Sequence, residues 1–534
     1  MNNHQNFDLK NTFINFTKQQ EEVLKLYNDY LTGVNKVFGF DKIQNQLKDF
    51  DPNNLKADNI LKETNKNMNI MAAKFAEEIL KNEYLDEKTK KKSKFFSKLF
   101  LDISDPENNI FTNEKIKENF IKDSGTTFYK GLVNLYNDFL QGDLKTVDRE
   151  AFKIGHNLAT TEGKIIFQND LMQLMHYKPL TKEIHEIPLL VIPPFINKYY
   201  VLDLSEKNSF VKWLVQQGYS VFMISWKNHN SPQGGETSFF DYMEHGILSA
   251  IKFVQKKYKF NKINTLGYCI GGTLLATTLA YLKGMNGDDL VNASVFLPTP
   301  IDFEEAGAVE ALIDEEQISC AEKYMENAGG YFKGKDLYNI FNALKLKDTV
   351  IRTVINHYLL GEPLPAFDVL YWNEDSVNLP AKMHSFYLRN MYLENNLAKG
   401  NLIHNGIKIN MSNIDIPVYF LATEDDHITI PKCVFQGMKL LNSKEKRFIL
   451  AESGHVMGVI NHPSRNKYTY QVIDSSNNDI ITTEKQKGSW WTDLNDWLSV
   501  RSGEQKEAHD YNNISTKKAI EDAPGSYVKE KCNK

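Results

Sequence analysis

At 534 residues, with 68 acidic against 63 basic side chains and a formal charge of −5, the chain is long enough for roughly two to four structural units and is close to electrically balanced. That balance gives no overall footprint for nucleic acid or a strongly acidic partner. Its four cysteines, Cys269, Cys320, Cys433 and Cys532, have neither the paired spacing of a zinc site nor the density of a disulfide scaffold, and read as reduced intracellular thiols.

The opening stretch MNNHQNFDLKNTFINF lacks the basic start and apolar core of a secretory leader, so the expected compartment is the cytoplasm. Residues 1–160 are rich in Lys, Asn and Glu with intermittent apolar positions, and Val23, Leu24, Tyr27 and Leu31 suit one helical face. A mostly helical region is expected there. Within it, KTKKKSKFFSKLF (Lys88 to Phe100) interleaves lysines with aromatic residues. The run suits a solvated helix face or attachment to an anionic or hydrophobic surface.

From Glu186 the texture changes to short, β-branched apolar runs alternating with helix-length segments, the pattern of parallel βαβ units. The predicted strands are PLLVIPP, YSVFMISW, INTLGY, ASVFLP, IPVYFLAT and RFILA; NSFVKWLVQQG and SFFDYMEHGILSAIKFVQKKY are predicted helices. The alternation stops after Pro300 and resumes at Ile416, so about 301–415 reads as an inserted helical cap on a catalytic domain spanning 161–534. Ile263 to Leu282 carries no formal charge, yet Asn264, three glycines and four threonines make it a poor membrane span.

GYCIGG sits where a strand ends and a helix begins, and has the form of a nucleophile elbow with Cys269 in place of serine. The helix beginning near Ile270 turns its free N–H groups toward Cys269, which favours the thiolate. A buried cysteine that merely packs has the same local sequence. Downstream, LATEDDHITIP and LAESGHVMGVIN each follow a predicted strand and place Asp426 and His455 on strand-end loops. The order Cys, Asp, His is that of the α/β-hydrolase fold. His427 competes for the role of base, but as the neighbour of Asp426 it is badly placed to face that carboxylate, and it is read as an orienting, packing or substrate-contacting residue.

These stretches resemble the class I polyhydroxyalkanoate synthases, together with TEGKIIFQNDLMQLMHYKP, IPPFINKYYVLDL, VFMISWKN, YLLGEPLPAFDVLYWNEDSVNLP, FYLRNMYLENNL, KGSWWTDLNDWL and APGSYVKEK. The likeness runs from about Asp143 to the end and is weak before it. It implies an acyltransferase that polymerises (R)-3-hydroxyacyl-CoA, such as the short-chain 3-hydroxybutyryl-CoA, releasing CoA through a cysteine acyl-enzyme. The family's nucleophile, acid and base fall on Cys269, Asp426 and His455, the three residues already chosen. Backbone N–H groups of Ile270 and of the Phe195 to Asn197 loop are the expected oxyanion donors. Arg389 matches a basic position near the family's CoA path, with a cap salt bridge as its alternative. Tyr371 and Trp372 are expected to line the acyl channel or to sit in the core. The resemblance further implies a cytoplasmic homodimer on the surface of a storage granule, the N-terminal region serving attachment or assembly, with neither cofactor nor metal. A thioesterase or esterase of the same fold, and a non-catalytic granule coat, are the competing readings.

Overall fold

The computed structural model describes residues 86–532 apart from 109–112, 142–143, 286–288, 509–514 and 518, together with Ile70 and Lys74. The helical face expected at Val23 to Leu31 lies outside these residues. Everything below concerns the larger compact unit, Ala72–Ile103 with Glu114–Lys534.

An eleven-stranded sheet forms the centre. In chain order its strands are β1 (Gly163–Gln168), β2 (Met172–Tyr177), β3 (Leu189–Ile192), β4 (Val221–Trp226), β5 (Ile263–Tyr268), β6 (Val291–Leu297), β7 (Val418–Thr423), β8 (Lys446–Ala451), β9 (Thr469–Ile473), β10 (Gln486–Lys487) and β11 (Glu521–Asp522). Across the sheet they run β10-β9-β8-β7-β6-β5-β3-β4-β2-β1-β11. The strands from β4 to β8 in that order pair in parallel, and they are the six apolar runs predicted above. Every residue of β3, β4, β5 and β7 is buried, because helices cover both faces. That is why these strands read as continuous apolar runs rather than alternations.

Antiparallel strands flank this core: β2 pairs with β4 and β1, and β9 with β8. Sequence periodicity missed β2 because Gln173 and His176 are buried within it. Each is hydrogen-bonded, Gln173 Nε2 to Gln168 Oε1 at 2.8 Å and His176 Nε2 with Ser220 Oγ at 3.0 Å. Two polar letters in a wholly buried strand hide its pattern.

The helices used below are α1 (Glu87–Ser104), α2 (Thr126–Gln141), α3 (Phe210–Gln216), α4 (Ser249–Tyr258), α5 (Ile270–Gly284), α6 (Glu315–Asn327), α7 (Gly334–Leu344), α8 (Asp368–Glu374), α9 (Ala381–Tyr387), α10 (Pro431–Lys439) and α11 (Trp490–Ser499). Of these, α6 to α9 lie between β6 and β7, with π-helical segments at Lys347–Ile351, Val354–Leu359 and Leu388–Leu393, and form a largely helical insertion. The lysine-rich run lies on α1 and is engaged by this insertion. Lys91 Nζ reaches Glu310 Oε1 at 2.9 Å and Lys92 pairs with Asp314, so it is not simply a solvated face. The helix α2 rests on Val354–Leu359, where Asn134 Nδ2 donates to the His357 carbonyl at 3.3 Å, and its outer side exposes Tyr129, Tyr136, Phe139 and Leu140.

The turn from β5 into α5 depends on three glycines. A Cβ at Gly267 would stand 2.5 Å from the Gly272 Cα, one at Gly271 would meet the carbonyl oxygens of Pro193 and Ile192 at 2.5 and 2.6 Å, and one at Gly272 would fall 2.0 Å from Thr299 Oγ1. Helix α5 therefore starts in contact with the strand that feeds it and with the end of β3. Gly272→Ala should destabilise the fold by about 1–3 kcal/mol, read as a lower denaturation midpoint. Thr299→Ala in the same chain should recover part of that loss. Gly271→Ala clashes with backbone on both contacts and should be rescued by no side-chain truncation.

Candidate active site

Cys269 caps α5 with φ 53° and ψ −128°, a left-handed backbone that a non-glycine residue adopts only when its surroundings impose it. Its own N–H donates to the Leu297 carbonyl at 3.0 Å, and its carbonyl accepts from Gly272 and Thr273 at 2.9 and 3.2 Å. The residue is thus tied to β6 on one side and to the first turn of α5 on the other. Ile270 follows as the first residue of α5, where the helix has no acceptor of its own for the N–H.

Asp426 and His455 arrive from the loops after β7 and β8. His455 Nδ1 lies 2.6 Å from Asp426 Oδ2, with the carboxylate side chain fully buried and the imidazole 9 % exposed. The N–H groups of Ile428 and Thr429 each donate to Asp426 Oδ1 at 2.9 Å, and the Thr423 hydroxyl donates to Oδ2 at 3.3 Å. Cys269 is close enough to the same imidazole to favour its charged form. Three residues chosen from sequence order are therefore assembled as one constellation.

Its electrostatics are set by opposing terms. Burial pushes His455 toward the neutral form, but Asp426 and Cys269 outweigh burial and hold its pKa well above 6.5. Burial likewise opposes ionisation of Asp426, and the facing His455 overrides it to lower the carboxyl pKa below 3.8. His427, beside Asp426 in sequence, behaves oppositely: burial first, then the charge of Lys345, takes its pKa to about 4. The two imidazoles are therefore distinguished by which of them is hydrogen-bonded to the carboxylate.

Tyr268, Tyr387 and Tyr392 complete the surroundings and were not singled out from sequence. The Tyr268 hydroxyl donates to the His455 carbonyl at 2.9 Å, and its ring stacks on the imidazole at 5.4 Å. Tyr387 and Tyr392 of the insertion are close enough to Cys269 to feel its charge, and pack at 5.6 Å from one another. Tyr268 directly precedes the cysteine, and both insertion tyrosines fall within FYLRNMYLENNL, which were the available signals.

The remaining expected residues are distributed otherwise. The Phe195 ring is buried against Tyr242 and Trp226, at 4.7 and 6.2 Å, and so anchors the loop after β3. Trp372 is buried and its indole N–H donates to the Lys198 carbonyl at 2.7 Å, while Tyr371 packs on Phe152 at 5.4 Å. Both belong to a joint that fastens the insertion: Asp375 accepts from Lys198 Nζ at 2.9 Å, Tyr200 OH at 2.9 Å and Lys531 Nζ at 2.8 Å. Arg389 is fully engaged in the insertion. Its Nε and Nη2 donate to Glu322 and its Nη1 to Glu315, all at 2.8 Å, which is the salt-bridge alternative. Among the described residues no group of three or more His, Cys, Asp or Glu side chains is arranged to hold a metal ion, and no helix is long and apolar enough to cross a membrane.

Residues 47–214 match the family described as Poly-beta-hydroxybutyrate polymerase (PhaC) N-terminus, and residues 188–461 match the alpha/beta hydrolase fold. The chain is 38% identical over 462 residues to the poly(3-hydroxyalkanoate) polymerase subunit PhaC of Rhizobium meliloti, covering 84% of this chain and 74% of that one. It is 36% identical over 456 residues to the Cupriavidus necator subunit of the same name, covering 84% and 77%. The chain belongs to the poly(3-hydroxyalkanoate) polymerase family. A Methylorubrum extorquens polymerase of this family is 35% identical over 87% of the chain and 77% of its own length. Among solved structures, the Paleococcus ferrophilus monoacylglycerol lipase superposes with a TM-score of 0.35 at 14% identity, over 60% of this chain and 98% of the lipase.

The pair of Asp426 and His455 gives this polymerase-family chain a defined pH signature. A carboxyl whose folded pKa is lowered from 3.8 contributes stability above that value and loses it as the pH falls; an imidazole raised above 6.5 contributes below that value and loses it as the pH rises through the raised pKa. The interaction, seen from its two ends, is complete between pH 3.8 and 6.5. In Asp426→Asn the largest opposing charge is gone and burial remains, so the His455 pKa should fall markedly. His176 and His384, buried with desolvation as the only force on them, stand at about 3 and about 4. An NMR titration of the His455 ring would check this, and an unmoved pKa would contradict it.

Proposed function

We propose that this chain polymerises short-chain (R)-3-hydroxyacyl-CoA, such as 3-hydroxybutyryl-CoA, into polyester with release of CoA, through an acyl-enzyme on Cys269. The observation that carries the reading is the constellation of Cys269, His455 and Asp426 at the mouth of α5 in a chain of this family. His455 takes the thiol proton, and the sulfur attacks the thioester carbonyl. The developing oxyanion is received by the Ile270 N–H and by an N–H of the Phe195 to Asn197 loop. Collapse breaks the carbon–sulfur bond to CoA, and the departing thiolate takes the proton back from His455. The hydroxyl of a second unit must then be deprotonated to attack an acyl carbonyl. Asp426, held at low pKa beside His455, serves that second activation.

Water must be kept from the acyl-enzyme, or the product is a free acid. Half-burial of Cys269, with Tyr387 and Tyr392 of the insertion close enough to feel its charge, favours transfer over hydrolysis. The reading includes a cytoplasmic homodimer at a storage granule. The exposed aromatic side of α2 suits an apolar polyester surface better than the lysine run of α1, which is already partly paired.

Purified protein given 3-hydroxybutyryl-CoA should release thiol and form insoluble polymer without matching free acid. Stoichiometric free acid would instead make it a thioesterase. Cys269→Ala should abolish thiol release, whereas Cys320→Ala and Cys532→Ala should retain it. Rapid-quench labelling separates the other two roles. Asp426→Asn should still accept a first acyl group on Cys269 but build little polymer, while His455→Gln should fail at that first acylation. Equal blocks on the first acylation would return Asp426 to orienting the imidazole alone.

A further inference from the structure

The nucleotide end of a CoA thioester is strongly anionic, and with Arg389 held by Glu315 and Glu322 the phosphates need another cation. Two ammonium groups beside the site have no carboxylate partner among the described residues. Lys345, just past the end of α7, brings its Nζ to 3.9 Å from where a Cβ of Gly454 would stand, and Gly454 directly precedes His455. Lys98 lies on α1 about two turns beyond Lys91, on the same side of the helix. Lys91 holds Glu310, whose segment is fixed to the acid loop by the Ala308 N–H donating to the His427 carbonyl at 3.0 Å. This chain of contacts brings α1 to the rim of the site.

Three carboxylates of these segments are already engaged. Glu310 binds Lys91, Asp314 binds Lys92, and Glu424 accepts from Gln471 Nε2 and Lys485 Nζ at 3.0 and 3.1 Å. His427 of the acid loop has an Nδ1 that is buried without a hydrogen-bond partner. The charges of Lys345 and, more weakly, Lys98 both act on that ring. Two unpaired ammonium groups and an unsatisfied ring nitrogen, one loop away from the nucleophile's base, are a receptor without its anion.

We propose that Lys345, Lys98 and His427 form the anion subsite that receives the phosphates of the CoA thioester. The assignment rests on the acyl-CoA reading above and moves phosphate recognition from Arg389 to the rim between α1, the end of α7 and the acid loop. The acyl end then points inward to Cys269, and the nucleotide stays outside.

Calorimetric titration of the full chain with CoA, and with pantetheine as the phosphate-free counterpart, tests it. Lys345→Ala should weaken CoA binding about tenfold and leave pantetheine unchanged, while Lys345→Arg should keep most of the affinity. Lys98→Ala, an exposed position that burdens folding little, should weaken CoA by about threefold. Raising the salt should weaken CoA binding to the native chain more than to the Lys345→Ala, Lys98→Ala double variant. Unchanged CoA affinity in both single variants, or equal losses for CoA and pantetheine, would overturn the assignment. Polymerisation by a chain whose CoA binding ignores both lysines would sink the subsite alone; selective CoA binding without polymer formation would sink the polymerase reading and leave the subsite standing.

Discussion

A helix can begin in contact with the strand that feeds it only where side chains are missing, and this constraint governs the site. Gly267 and Gly272 let β5 and α5 meet backbone to backbone, while Gly271 lets α5 touch the Ile192 and Pro193 carbonyls at the end of β3. The same contacts decide two distances and a direction at once: the height of Cys269 above the sheet, the separation of the Ile270 N–H from the loop after β3, and the direction of the α5 N-terminus. The Pro193 carbonyl is in turn fixed by the Trp226 indole N–H at 3.0 Å. The positive φ of Cys269 is maintained by bonds to Leu297, Gly272 and Thr273, so the strain is carried by the scaffold rather than by the cysteine.

Burial alone would leave every histidine in this core neutral. His176 and His384 follow that rule, with pKa values near 3 and 4. His455 departs from it because a carboxylate stands 2.6 Å from Nδ1. That carboxylate stays ionised inside the protein because two backbone N–H groups and a threonine hydroxyl also serve it. The loop after β7 thus does two jobs with one turn: it solvates Asp426 with its own amides, and it leaves His427 under the charge of Lys345. Adjacent residues in sequence come to opposite electrostatic ends.

The parallel core was legible because its strands are buried on both faces, so apolar continuity reports them directly. The order of Cys269, Asp426 and His455 was legible because each follows such a strand. What sequence could not supply was the partner of a charge. Arg389 has the right type for phosphate, but Glu315 and Glu322, seven residues apart and hence on one side of α6, reach it first. Lys91 and Lys92 looked like part of a free basic run until Glu310 and Asp314 of the insertion came beside them. Trp372 and Tyr371 likewise have the type that lines a channel, yet they pack at the Asp375 joint, where two lysines and a tyrosine from distant segments converge. Composition identifies what a side chain can do, and tertiary pairing decides which of those things it does.

The Arg389 clamp is not remote from chemistry for lacking a phosphate. It sits in the π-helical segment Leu388–Leu393 that continues α9, between Tyr387 and Tyr392, two rings of the insertion that feel the charge of Cys269. Its bidentate hold on Glu322, strong enough to bring that carboxyl to a pKa of about 2, ties this segment to α6. A π-helical turn has more latitude than an α-helical one, so without the clamp the tyrosines could shift relative to Cys269. The arginine thereby bears on the position of two rings that feel the charge of Cys269. A charge held by two carboxylates of its own insertion is therefore coupled to the aromatic rings on either side of it in sequence.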